Sequence, residues 1–166
     1  LINRMGFPNE GVEAVLPRLR ELASQPGGPR IGVSLGKQKE TPLEEAARDY
    51  LLVLRSVAPY ADYLAVNISS PNTPGLRALQ GREYLEQLCR MLVQENAVHA
   101  PGPGRSCRPL FVKVAPDMGA AELEGILEVI DASGVDGIIA TNTTLARPDG
   151  LRDAARGESG GLSGRP

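Results

Sequence analysis

Short apolar runs and amphipathic stretches take turns along this chain. Ile31–Leu35 (IGVSL), Asp62–Ser69 (DYLAVNIS), Leu110–Ala115 (LFVKVA) and Val135–Ala140 (VDGIIA) are brief and rich in Val, Ile or Leu. That is the composition of strands covered on both faces. Between them the apolar positions switch to a helical period. Val12, Val15, Leu16, Leu19 and Leu22 make one stripe, Leu85, Leu88 and Leu92 a second, and Leu123, Ile126, Leu127 and Ile130 a third. Pro17 falls inside the first stripe, so that helix is predicted to kink there or to restart at Leu16. Another helix is announced by Thr41 as N-cap, Pro42 at the first helical position and Glu44 as capping-box partner. Gly134 stands where a left-handed cap would end the last helix. Gln94–Arg108, with its Pro and Gly, reads as a surface loop.

Repeated βα units predict a parallel sheet with helices outside it. The unusual polar residues stand at or just after the C-terminal ends of the strands. They are Ser34 and Lys37, then Asn67, Ser70 and Asn72, then Lys113 and Asp117, then Thr141, Asn142 and Thr143. In a (β/α)8 TIM barrel that rim carries the active site. A doubly wound sheet, which binds ligands at one switch point, is the alternative. Four units are half a barrel, and barrels need about 250 residues. The expected architecture is an incomplete central portion of an α/β barrel, one partial domain over residues 1–166 of a longer protein.

Composition narrows the function. Hydrophobic residues make up 42% and charged residues 23%, and the net charge of −2 supplies no electrostatic footprint for nucleic acid. Four Tyr, two Phe and no Trp leave little for base stacking. No apolar run is long enough to span a bilayer, and Leu1–Arg4 carries no signal-peptide pattern. Cys89 and Cys107 lack a CxxC spacing and read as structural. With His99 the only histidine, neither a His-rich metal site nor a Ser-His-Asp triad is expected.

Three segments carry candidate chemistry. Asn67–Leu76 (NISSPNTPGL) ends a strand in amides, hydroxyls and prolines. Amides can read a flat ligand edge of alternating carbonyl and N–H groups, as in a pyrimidine, although an ordinary Asn/Pro/Ser turn has the same composition. Lys113 lies inside an apolar strand, where an ammonium calls for an anionic partner or ligand, or snorkels to water. Thr141–Thr144 (TNTT) again finishes a strand in hydroxyls and an amide. Gly32–Lys37 lacks the spacing of a phosphate loop. Gly160–Gly164 (GGLSG) either lets the backbone approach a flat ligand or is a flexible loop.

Together Asn3–Phe7 (NRMGF), Gly32–Lys39 (GVSLGKQK), NISSPNTPGL, Phe111–Asp117 (FVKVAPD), TNTT and Gly160–Pro166 (GGLSGRP) resemble the class 2 dihydroorotate dehydrogenases, in order and spacing, with a bacterial wording. The resemblance implies an FMN-containing TIM barrel that oxidises dihydroorotate to orotate in pyrimidine synthesis and passes the electrons to a quinone. It implies that Ser70 is the catalytic base, taking a proton from C5 as hydride leaves C6. Asn67, Asn72, Asn142 and Thr143 would hold the pyrimidine, with Asn3, Arg4, Met5, Gly6 and Phe7 beside it. Ser34, Asn67, Lys113, Thr141 and Gly164 would contact FMN. Ser34 departs from the family's usual asparagine, losing an acceptor and a donor pair. Serine is a weak base, so geometry or a relay must assist, with Thr73 the candidate partner. The resemblance also implies peripheral contact with the cytoplasmic face of a bacterial inner membrane, through an N-terminal segment not in this chain. Two other readings stay open: a related FMN barrel acting on dihydropyrimidines or tRNA uridines, and a half-barrel without activity of its own.

Overall fold

The computed structural model describes residues 1–73, 75–99 and 107–164. The chain alternates strand and helix as the periodicity predicts. In order it runs β1 (Ile2–Asn3), α1 (Val12–Ala23), β2 (Gly32–Leu35), α2 (Ala46–Val57), β3 (Tyr63–Asn67), α3 (Arg82–Val98), β4 (Leu110–Val114), α4 (Ala120–Ser133), β5 (Gly137–Ala140) and β6 (Gly161–Leu162). Strands β2 to β5 form one parallel sheet in the order β2-β3-β4-β5. Each strand lies beside its successor, which is how consecutive βα units pack.

Strand alternation gives this sheet two unlike faces. Leu35, Leu64, Val66, Leu110, Val112 and Val114 turn to one side and join Leu54, Leu85, Leu88, Leu92, Ile126, Val129 and Ile130 of the helices in the core. Burying one such side chain stabilises the fold by about 1.5–3 kcal/mol. Ser34, Tyr63, Ala65, Asn67, Phe111, Lys113 and Ile139 turn to the other side. This second face is only partly covered, short of the expectation of strands buried on both sides: Ala65 and Asn67 are buried, but Tyr63 is 39% exposed and Phe111 is half-buried. The Tyr63 ring lies across Gly32 of the neighbouring strand, where an added Cβ would meet its Cζ at 2.0 Å. The Phe111 ring lies against Gly137 and meets Tyr63 edge to face, with ring centres 5.9 Å apart. Large and small residues thus fill a layer beneath the strand ends.

Several local expectations need correcting. Helix α1 does not restart at Leu16. It continues through Pro17, because the loss of one backbone bond is offset by Val12, Val15 and Leu19 packing on the core. Thr41 makes no capping bond. Instead Lys37, only 4% exposed, donates its Nζ to the carbonyl oxygens of Gln38 at 2.7 Å and Thr41 at 2.5 Å. A buried ammonium must find acceptors, and these shape the loop before a 3-10 turn at Leu43–Glu45 leads into α2. Gln94–Val98 belong to α3 rather than to a loop. Residues 100–106 of that expected excursion lie outside the described residues. Ser34 lies within β2, one residue from its end. Gly134 does take the left-handed cap conformation, with φ 78°.

The two-residue strands β1 and β6 were not foreseen, being too short to carry a period. They pair antiparallel, Ile2 with Leu162 and Asn3 with Gly161. Residues 1–3 thereby come to the same end of the sheet as the segment after β5, since Thr144 bridges to Leu162.

Candidate active site

The segments that follow β3, β4 and β5 form one hydrogen-bonded cluster. Asn67 closes β3 at 7% exposure, and its register partner on β4 is Lys113. The end of β3 is fixed from behind. The buried Tyr50 of α2 donates its hydroxyl to the Asn67 main-chain oxygen at 2.9 Å. Burial, and then the nearby charge of Asp49, push this phenol above its ordinary pKa, so it stays a donor.

In front of the strand, Asn67 Oδ1 accepts from the Ser69 amide at 3.2 Å, the Ser69 hydroxyl at 3.1 Å and Asn142 Nδ2 at 3.4 Å. Asn142 also donates to Ser69 Oγ at 3.0 Å, while its own Oδ1 accepts from the Thr143 amide at 2.8 Å. Asn142 therefore spends its amide inside the protein and orients Asn67. Among the described residues, nothing accepts from Asn67 Nδ2, and nothing pairs with the half-buried Lys113 ammonium. Two adjacent donors on this partly covered face are thus left without internal partners, as ligand-reading groups are.

Ser70 is 5% exposed, and its Oγ accepts from the Asn72 amide at 3.3 Å. Asn72 reaches across to β1, donating Nδ2 to the main-chain and side-chain oxygens of Asn3, each at 3.2 Å. Its Oδ1 has no described partner. Asn3, Asn67, Ser70, Asn72, Asn142 and Thr143 are therefore brought together, with Lys113 alongside.

The remaining candidates lie around this cluster. Gly6, with φ 66°, sits close to the Asn72 carbonyl. Met5 is 70% exposed, and its amide donates to Asn3 Oδ1 at 3.4 Å. The Phe7 ring packs on Gly36, just past β2. Arg4 is exposed and pairs with Glu158 at 2.5 Å. Ser34 is exposed on the same sheet face, one strand over and beside Ala65, two residues short of Asn67. Thr141 donates its hydroxyl to the Asn142 carbonyl at 3.0 Å. Gly164, with φ 86°, lies exposed beyond β6 and forms no described bond to the cluster.

Sequence reasoning gave no role to Ser69, Tyr50, Gln80 or Arg77. Ser69 is fully buried and is the hub between Asn67 and Asn142. Nothing in the order Ser-Ser separates its role from that of Ser70 except strand alternation. Gln80 accepts from the Ala115 amide at 3.0 Å. Arg77, in the 3-10 helix Leu76–Gln80, pairs with Asp117 at 3.0 Å. Burial tends to raise the Asp117 pKa. The Thr144 hydroxyl, the Leu145 amide and the Arg77 guanidinium outweigh it and hold the carboxyl below its ordinary value.

The comparisons with known proteins agree with one another. A family model described as dihydroorotate dehydrogenase matches residues 1–166. A dihydroorotate dehydrogenase (quinone) of Anaeromyxobacter dehalogenans is 51% identical over 166 residues, covering 100% of this chain and 44% of that protein. One from Alkalilimnicola ehrlichii is 52% identical over 168 residues, 48% of its length. The crystal structure of DHODH from Eimeria tenella in complex with ferulenol superposes with a TM-score of 0.91 at 37% identity, over 99% of this chain and 48% of that one. Its ligand-free counterpart gives 0.90 at 38% identity. The chain spans about half the length of these relatives, so its parallel sheet and helices match about half of their barrel. Among the described residues, no helix is long and apolar enough to cross a membrane.

Proposed function

Because this chain belongs to the dihydroorotate dehydrogenase family, we propose that it supplies the pyrimidine-holding and proton-abstracting side of an enzyme that oxidises dihydroorotate to orotate. The observation carrying this reading is the adjacent pair Asn67 and Lys113, whose donors lack described partners at the mouth of β3 and β4, beside the buried Ser70. The cofactor we assign is FMN and the final acceptor a quinone. A quinone acceptor puts the whole enzyme at a bilayer surface, which we take to be the cytoplasmic face of a bacterial inner membrane.

The residues fit a flavin. An ammonium in an otherwise apolar strand, without a described anion, suits a ring system that is electron-rich at its pyrimidine edge. Ser34, Asn67, Lys113 and Thr141 would hold that edge, and Gly164 would approach through its backbone. The chemistry FMN supplies when bound is acceptance of the hydride from C6 and delivery of two electrons to the quinone.

The chain's own part is binding and proton transfer. Asn67 Nδ2 donates to a pyrimidine carbonyl, and Asn72 Oδ1 accepts from a ring N–H, so the two amides match an alternating edge. Asn142, Ser69 and Asn3 hold those amides in orientation. Ser70 Oγ takes the proton from C5. The Asn72 backbone N–H fixes that oxygen, and the hydroxyl of Thr73, three residues on and 7% exposed, is the group we assign to carry the proton onward, since the adjacent Ser69 hydroxyl is held by Asn67 and Asn142. A serine hydroxyl is a weak base in water, so its effectiveness here depends on position rather than on pKa.

The test uses the full-length enzyme containing this segment. It should purify with FMN, and dihydroorotate should bleach the flavin. Ser70→Ala should slow that bleaching by roughly 10²-fold or more, while orotate still binds. Wild-type bleaching in Ser70→Ala would remove Ser70 from the role of base.

A further inference from the structure

One side chain outside the set of ligand-reading groups touches the segments after three successive strands. Arg77 Nε donates to the Ser69 carbonyl at 3.3 Å, on the loop after β3. Its Nη1 pairs with Asp117 Oδ2 at 3.0 Å, on the loop after β4. Its Nη2 donates to the Thr143 carbonyl at 3.3 Å, on the loop after β5. Asp117 extends the tie, because it also accepts from the Thr144 hydroxyl and, at 2.9 Å, from the Leu145 amide. The two side chains are 24% and 23% exposed, so the pair is largely shielded from water.

The points of attachment are specific. Ser69 precedes Ser70 and accepts from Asn142, and Thr143 follows Asn142. One planar guanidinium therefore sets the separation between the serine on one loop and the amide that orients Asn67 on another. Three rigid donors are needed for three acceptors in different directions, which an ammonium on a flexible stem cannot reproduce. Parallel strands are joined only through helices, so nothing along the chain fixes one strand-end loop against the next.

We propose that Arg77 is a positioning residue that, braced by Asp117, holds the Ser70 loop in register with the Asn142–Thr143 loop for the proton-abstracting half of the reaction. This rests on the function proposed above for Ser70 and Asn67, and its test has an arm that does not depend on that function.

In the full-length enzyme, Arg77→Gln and Arg77→Lys would be compared with wild type by two measurements. The first is hydrogen exchange of the backbone amides of residues 68–73 and 142–145. Both segments should exchange faster together in Arg77→Gln, with the helices unchanged. The second separates the half-reactions. Flavin reduction by dihydroorotate should slow by about tenfold or more, because a displacement on the order of 1 Å costs up to about 10²-fold. Reoxidation by quinone, a step in which neither Ser70 nor Asn67 is assigned a part, should stay within about twofold of wild type. Arg77→Lys keeps the charge and should not restore the rate. If Arg77→Gln fails to fold, Asp117→Asn removes the brace and should raise exchange in the same two segments. Exchange unchanged in either segment, full rescue by lysine, or equal slowing of both half-reactions with loss of flavin would each overturn the positioning role. A wild-type enzyme whose flavin dihydroorotate does not reduce would instead sink the reaction reading, leaving the exchange arm to decide the latch.

Discussion

Gly160 has a φ of 115°, and a Cβ placed there would lie 2.2 Å from the Asn3 carbonyl oxygen. The contact is with backbone, so no side chain can swing aside to relieve it. The left-handed conformation alone costs an alanine about 1–3 kcal/mol. Gly160→Ala is expected to destabilise the full-length enzyme by at least about 2 kcal/mol in denaturant unfolding. It should also push β1 away from β6 and so release the two bonds by which Asn72 holds Asn3. An unchanged midpoint would mean that β1 has another way to seat. At this scale the sequence was legible in residue types. The amides, the serine and the strand lysine stand out by chemistry. It was not legible in partners, because Asn142 and Asn67 lie 75 residues apart and only packing makes one orient the other.

Between elements, Arg55 of α2 and Glu95 of α3 form a two-pronged pair, at 2.9 and 2.8 Å. The bond from Arg55, aided by His99, takes the Glu95 pKa from its ordinary 4.5 down to about 2. A depressed carboxylate stabilises the fold while ionised. That contribution is complete above about pH 4.5 and is lost as pH falls through about 2. Both side chains keep contact with water, so screening reduces the effect. Melting curves between pH 6 and pH 2 should therefore show wild type losing more stability than Arg55→Met. Parallel curves for the two proteins would remove the pair from the acid response. The helices themselves were legible because their apolar stripes repeat every turn. The start of α2 was not, because the buried Lys37 ammonium holds the Gln38 and Thr41 carbonyls and a 3-10 turn at Leu43–Glu45 comes before the helix.

Across the whole molecule, the sheet has one face packed by helices and another bearing half-exposed Tyr63, Phe111 and Ile139. Its edges, β2 and β5, have no further strand beside them among the described residues. Unpaired edges and exposed apolar surface favour association. The 166 residues alone are expected to elute larger than a monomer and, on the cofactor proposed above, to bind FMN more weakly than the full-length enzyme does. A monomer binding FMN at full strength would show that the half-barrel is a working module.

The order of strands and helices, the parallel sheet and the polar rim were fixed by the sequence itself, because hydrophobic period and residue chemistry are local properties. The pairing of β1 with β6, the Asn67–Ser69–Asn142 hub and the Arg77 tie were decided only in three dimensions. Each joins segments that folding brings together across long stretches of chain, and a linear pattern carries no record of which distant atoms will end within hydrogen-bonding distance of one another.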